Sequence, residues 1–191
     1  MPNAMQLIHG AHIPNLTQPT VVTVGSFDGV HRGHQALLAA ARKEADRIAG
    51  KVVVVSFEPH PRIALGKDDG LLLLTELEEK AELLSRYGVD YLVVLPFDQS
   101  FAQQSGSEFA TSILMEEIGA KSLIAGYNHR FGHDRILASE LRIEGLNVVR
   151  VARCEVEGEQ VSSSAIRRLI AEKDYTSAER LLGHSLKCMK S

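Results

Sequence analysis

Five short runs of apolar, β-branched residues punctuate the chain at 20–24, 51–57, 90–95, 121–125 and 146–151, and each reads as a strand. Two of them, around Val52 to Val55 and Leu92 to Leu95, are continuously apolar instead of alternating, which is the pattern of strands covered on both faces. Between the first two runs the spacing becomes helical: Leu37, Leu38, Ala41, Ala45 and Ile48 mark an amphipathic helix, with Gly50 at a C′ position to stop it. Leu77, Ala81 and Leu84 mark a second helix, which capping-box spacing from Thr75 to Glu78 opens and Gly88 ends. A third is predicted over 107–118, a weaker fourth over 136–143, and a helical stretch closes the pattern over 163–182. Alternating strands and helices predict an α/β fold, a Rossmann-like doubly wound five-stranded parallel sheet of order 3-2-1-4-5 with helices on both faces. The connection over 59–74 is long for a compact domain and is expected to serve function.

Composition narrows the class of partner. The chain of 191 residues, 45% of them hydrophobic, can bury one core, so a single domain is expected over 6–183 with a short tail over 184–191. A formal charge of −3 gives no overall basic field for nucleic acid or anionic lipid, so the expected partner is a small anion bound by local groups. No apolar stretch approaches the ~18 residues of a membrane span, and a cytoplasmic protein is expected. Cys154 and Cys188 lack a CxxC or a histidine at metal spacing, which fits a reducing compartment without structural zinc.

The chemistry concentrates where the first strand meets the first helix, in the run Gly25, Ser26, Phe27, Asp28, Gly29, Val30, His31, Arg32, Gly33, His34. In a doubly wound sheet this turn lies at the carboxyl end of a strand, where ligands bind. The glycines admit close approach, and the N–H groups of the new helix favour an anion, with phosphate the natural occupant. His31 and His34, three apart, project to one side and can both donate to phosphate oxygens. For an isolated HxxH the plainer reading is a helix cap plus a surface histidine; the position after the first strand favours a phosphate site. Zinc is disfavoured because neither an HExxH pattern nor a third ligand accompanies the pair.

Two further constellations follow later strands. After the fourth come Gly126, Tyr127, Asn128, His129, Arg130, Phe131, Gly132, His133, Asp134 and Arg135; with the predicted order this loop faces the histidine turn, Arg130 offering a guanidinium to phosphates and Asn128 a hydrogen bond to a ring edge or hydroxyl. After the fifth come Ser162, Ser163, Ser164, Ala165, Ile166, Arg167 and Arg168, a second anion site at a helix start, of which one serine is accounted for by capping. Phe57, Glu58, Pro59, His60 and Pro61 end the second strand, where the prolines stiffen a loop able to close on an aromatic substrate or merely to redirect the chain.

Together these segments resemble the FMN adenylyltransferase module of bacterial bifunctional riboflavin kinase/FAD synthetases, within the HxGH nucleotidyl transferases. Residues 25–35 are similar to that family's GxFDGVHxGHQ, 57–61 to its FEPHP, 162–167 to its SSTxIR and 126–132 to its GxDFRFG, with Asn128 where Asp is frequent and His129 where Phe is. The resemblance implies AMP transfer from Mg·ATP to FMN, giving FAD and pyrophosphate. It implies catalytic roles for His31, His34, Ser164 and Arg167, ATP contacts from Gly25, Ser26, Phe27, Asp28, Gly33, Ser163 and Arg130, and FMN contacts from Pro59, His60, Pro61 and Asn128. Magnesium is expected with ATP, without a dedicated protein ligand. Since the sequence ends soon after Gly183, no riboflavin kinase domain is expected. Another phosphate acceptor, such as a pantetheine, nicotinate or sugar phosphate, and a flavin- or nucleotide-binding module without turnover are the alternatives.

Overall fold

The structure is a computed structural model that describes residues 5–13, 16–67 and 70–186. Cys188 and the last residues of the expected tail lie outside them. In chain order the elements are β1 (Gln6–His9), β2 (Thr20–Val24), α1 (Arg32–Arg47), β3 (Lys51–Glu58), the short α2 (Pro61–Ala64), α3 (Leu77–Arg86) and β4 (Tyr91–Pro96). Then follow α4 (Gly106–Glu108), continued by a wider π-type helix over Phe109–Glu117, β5 (Ala120–Gly126), the hairpin β6 (Arg130–Phe131) and β7 (Ile136–Leu137), and β8 (Asn147–Val151). The hairpin β9 (Glu155–Val156) and β10 (Glu159–Gln160) precedes α5 (Ser163–Ala171) and α6 (Tyr175–Leu182).

The sheet runs β1-β4-β3-β2-β5-β8 with every pairing parallel. The five predicted strands keep their predicted order, and β1 adds a sixth at the edge beside β4. The apolar pattern misses β1 because its four residues, Gln-Leu-Ile-His, are mostly exposed and carry no two-sided core. Neighbouring residues of one strand enter opposite cores: Val22, Val53, Val93 and Leu123 pack with Phe109, Ala110 and Leu114, while Val21, Val52, Val54 and Ile124 pack with Leu38, Ala41 and Leu84. That two-sided burial is why Val and Leu run without alternation in these strands.

Several local expectations are corrected. The left-handed residue after α1 is Ala49, at φ 51°, and not Gly50; Gly50 is needed because a Cβ there would sit 2.5 Å from the Pro19 carbonyl oxygen. The Thr75 to Glu78 capping box does not form: the N-cap of α3 is Glu76 without a side-chain cap, and Thr75 Oγ1 instead accepts from the Gly29 N–H at 3.0 Å. A capping box does open α4, from Ser105 to Glu108. The expected helix over 136–143 is a short strand followed by a 3₁₀ turn at Ala138–Glu140, too short a segment for its apolar residues to face one core as a helix. The closing helix is two helices, parted at Lys173 (φ 62°) and restarted by Asp174, whose carboxylate accepts from the Ser177 N–H. Beyond the expected boundary at Gly183, Leu186 is buried and its N–H donates to Glu179 Oε1, so the chain packs on the domain at least that far.

Candidate active site

β2 is flanked by β3 and β5, and its carboxyl end at Gly25 is the point where the chain crossovers diverge to the two sides of the sheet. The turn that follows is strained: Phe27 and Val30 hold positive φ of 48° and 38°, a conformation that costs an L-residue on the order of 1–3 kcal/mol. Ties from distant elements hold it. Asp28 is 1% exposed, and its Oδ1 accepts from the N–H groups of Leu74 (2.8 Å) and Thr75 (3.2 Å), while Oδ2 pairs with the Arg167 guanidinium. Ser163 Oγ donates to the Asp28 carbonyl at 3.0 Å, and Gln35 Nε2 donates to the carbonyls of Val30 and Leu182. The ring of His184 lies 2.8 Å from the Gly29 carbonyl. The lead-in to α3, the start of α5 and the end of α6 therefore all converge on one turn.

On this turn His31 is the N-cap of α1 as well as a candidate site residue. Its Nδ1 accepts from the His34 N–H at 3.3 Å, so the proton of the neutral ring sits on Nε2 and is available to a ligand. The two imidazoles stack with centroids 3.6 Å apart and planes at 13°, and Phe27 packs on His34 at 4.7 Å. Gly33 permits this stack, because a Cβ there would meet the His31 ring at 3.2 Å. Burial lowers the His31 pKa from 6.5 to about 4, assisted by Arg167 and His184, and burial followed by His31 and Lys80 lowers that of His34. Both rings are thus neutral donors or acceptors near neutral pH. The Nδ1 of His34 is buried without a partner among the described residues, which leaves Nε2 as its outward nitrogen.

The three serines divide the work at α5: Ser162 caps the helix by accepting from the Ala165 N–H, Ser163 holds Asp28, and Ser164 is exposed. Arg167 also donates from Nε to the Leu72 carbonyl at 2.7 Å. Asp28 and Arg167, expected as ligand contacts, therefore serve first as a mutual tie.

Adjoining the turn is a cavity of about 490 Å³ that begins at Val24 and Gly25. Five of the six phenylalanines, Phe57, Phe97, Phe101, Phe109 and Phe131, line it, and neighbouring rings meet at 5.4 to 6.4 Å, as in the pairs Phe57 with Phe97 and Phe57 with Phe109. His129 extends the cluster, 4.4 Å from Phe131, and burial lowers its pKa to about 4. Arg130 and Pro61 also line the cavity. Pro59 and Asn128, expected with them, are exposed and lie outside the lining, since Asn128 sits on the turn that leaves β5. His60 caps α2 by accepting from the Arg62 N–H at 3.2 Å; burial lowers its pKa, with Asp28 opposing and Arg167, Lys80 and Arg62 reinforcing the shift. Sequence reasoning missed Phe97, Phe101 and Phe109, whose only signal was a scarcity of aromatics concentrated after β4. No cluster of three or more metal-ligating side chains occurs among the described residues.

A sequence model described as FAD synthetase matches residues 13–165, which take in the histidine turn, the loop after β3, the cavity and the first serines of α5. The chain belongs to the FAD synthetase family. Among relatives of that family, the bifunctional riboflavin kinase/FMN adenylyltransferase of Escherichia coli K12 is 36% identical over 189 residues, a match that takes in 94% of this chain and 60% of the relative. That of Pseudomonas fluorescens is 37% identical over 187 residues, covering 94% and 59%. A crystal structure from Streptococcus pneumoniae, described as a macrolide-efflux protein, superposes with a TM-score of 0.85 at 32% identity, over 94% of this chain and 60% of that one. The chain thus spans about 60% of the length of the curated relatives. The efflux description is that protein's own; among the described residues, no helix here is long and apolar enough to cross a membrane.

Proposed function

We propose that this FAD synthetase family chain transfers AMP from ATP to FMN, giving FAD and pyrophosphate. The observation that carries the reading is that Gly25 belongs both to the histidine turn and to the lining of the aromatic cavity, so a phosphate site and a site for a flat ring share a wall. A ring that stacks on phenylalanines and ends in a phosphate suits both at once. The names of the relatives support FMN as that acceptor.

In this reading an oxygen of the FMN phosphate attacks the α-phosphorus of ATP, a P–O bond forms, and the bond to the β-phosphate bridging oxygen breaks to release pyrophosphate. The attacking phosphate is already ionised, so no base is required. The Nε2–H of His31 and the outward nitrogen of His34 meet the charge that builds on the transferring phosphate, and Ser164, Ser163, Arg167 and the N–H groups opening α5 receive the triphosphate tail. A divalent cation, Mg²⁺ in our reading, would be carried by the phosphate oxygens, because the Asp28 carboxylate is already filled by Arg167, Leu74 and Thr75. It would neutralise phosphate charge there.

Incubation of the purified chain with FMN and Mg·ATP, followed by chromatography of flavins and a pyrophosphate assay, is expected to yield FAD and pyrophosphate in equal amounts. His34→Ala is expected to lower kcat by about 100- to 1000-fold. A folded sample that forms no FAD, yet releases pyrophosphate with a pantetheine, nicotinate or sugar phosphate, would overturn the acceptor.

A further inference from the structure

The aromatic cavity also carries a polar side chain that the fold leaves unsatisfied. Gln104 follows Phe101 on the segment that leads into α4, and it lines the cavity. Its backbone is anchored on both sides: the Gln104 N–H donates to the Phe101 carbonyl at 3.2 Å, and its own carbonyl accepts from the His133 N–H, in the turn between β6 and β7, at 2.9 Å. The next residue, Ser105, pairs with Gly132 in an isolated antiparallel bridge. The segment and the hairpin are thus fixed against each other, with Gln104 at their junction.

Nothing comparable holds the side chain. Its Oε1 is buried without a partner, and its Nε2 makes no hydrogen bond among the described residues. A carbonyl withdrawn from water without a donor is unfavourable, and a ligand N–H that reaches it removes the penalty. Lys67, Arg130 and Arg135 can only donate, the neighbouring amide of Gln103 is exposed, and among the described residues no carboxylate lines the cavity. An isoalloxazine stacked among the phenylalanines presents at one edge an imide, a ring N–H flanked by two carbonyls. A primary amide complements that row, its carbonyl accepting from the N–H while its NH₂ donates to an adjacent ring carbonyl. The amide torsion is soft and roughly two-fold, and the row is symmetric about its N–H, so the pair can close from either orientation.

We propose that Gln104 is a specificity-determining residue that reads the imide edge of the acceptor's ring and so selects an isoalloxazine over flat rings without that edge. This assignment rests on the adenylyl-transfer reading above, which supplies FMN as the acceptor. An amide that only fills space beside Phe101 would be indifferent to the ring N–H. FMN methylated at N3, which keeps the ring and the phosphate and lacks the N–H, separates the two.

Flavin fluorescence titrations of the full chain with FMN and with its N3-methyl derivative, for wild type and Gln104→Ala, test it. Wild type is expected to bind FMN about 10- to 100-fold more tightly than the methylated flavin, because the methyl group leaves the buried carbonyl unpaired. Gln104→Ala is expected to weaken FMN binding about tenfold and to bring the two flavins within about threefold of each other. In turnover, its KM for FMN is expected to rise while that for ATP stays within about twofold. Circular dichroism melts establish that each variant is folded, and Gln104→Leu carries the same comparison if Gln104→Ala is not. A wild type that binds both flavins equally, or a variant that keeps the full preference for FMN, would overturn the assignment of Gln104 alone. A wild-type chain that binds no FMN would overturn the adenylyl-transfer reading, and this one with it.

Discussion

The histidine turn and the aromatic cavity share Gly25, yet they are specified in different ways. The turn is one run, residues 25–34, tied down by buried and part-buried polar contacts with residues up to 184. The cavity is assembled from four stretches, 24–25, 57–67, 97–109 and 129–135, whose common property is an aromatic or apolar face. The difference follows from what each would do in the proposed reaction. Donors that stabilise developing charge act only if they are fixed within fractions of an ångström, and local backbone geometry plus unyielding ties fixes them. Stacking on a flat ring tolerates a shift of one phenylalanine, so its residues need no common motif. The turn should accordingly fail all at once, and the cavity by degrees.

The largest effect is expected at Asp28. Asp28→Ala leaves the Arg167 guanidinium without its carboxylate partner and frees two backbone N–H groups in the interior, and urea unfolding is expected to show a loss of about 3–5 kcal/mol. Because the tie spans α5, the lead-in to α3 and the turn, adenylyl transfer should fall with it. A variant as stable as wild type would break the contrast, since it would make the turn self-sufficient.

A second expectation concerns pH and belongs to the cavity. His129 has a pKa near 4 in the folded protein against 6.5 in the unfolded chain, so between those values the unfolded chain binds the extra proton. Stability then falls as pH drops from about 6.5 towards 4, and at pH 5 this residue's share is about 2 kcal/mol. His31 is lost in the same direction over the same window. His129→Phe keeps a ring against Phe131 and removes the titration, so the stability lost between pH 7 and pH 5 in urea titrations is expected to shrink by about that amount. An unchanged loss would place the acid sensitivity wholly in the turn.

How far the sequence disclosed this arrangement depends on the range of the interactions. The order of the five central strands and the helix starting at the histidines were legible because they rest on continuous apolar runs and a glycine-marked turn. β1 was not, because an exposed edge strand of four residues leaves no two-sided pattern. Thr75 has the spacing of a capping box, but tertiary structure uses its hydroxyl to hold Gly29 instead. His31 and His34 could be named from position, whereas their stacking, and the reason Gly33 must be small, required coordinates. Asn128 shows the reverse: in a segment similar to a family's ligand loop, that residue is exposed and lies outside the cavity lining. Phe97, Phe101 and Phe109 were invisible because they join Phe57 and Phe131 only after the sheet is built.

The smallest effect is the one that sharpens the comparison most. Phe101 lies 5.4 to 5.7 Å from the rings of Phe57, Phe97 and Phe109, at the middle of the cluster. Phe101→Ala removes one stacking partner and leaves the donors in place. Initial-rate measurements with FMN and ATP varied separately are expected to give a KM for FMN raised about tenfold, a KM for ATP unchanged and kcat within about twofold. That pattern marks a residue that contributes binding common to ground and transition states. A fall in kcat with unchanged KM would instead mean that the cavity positions the attacking phosphate, and that the two halves of the site act as one.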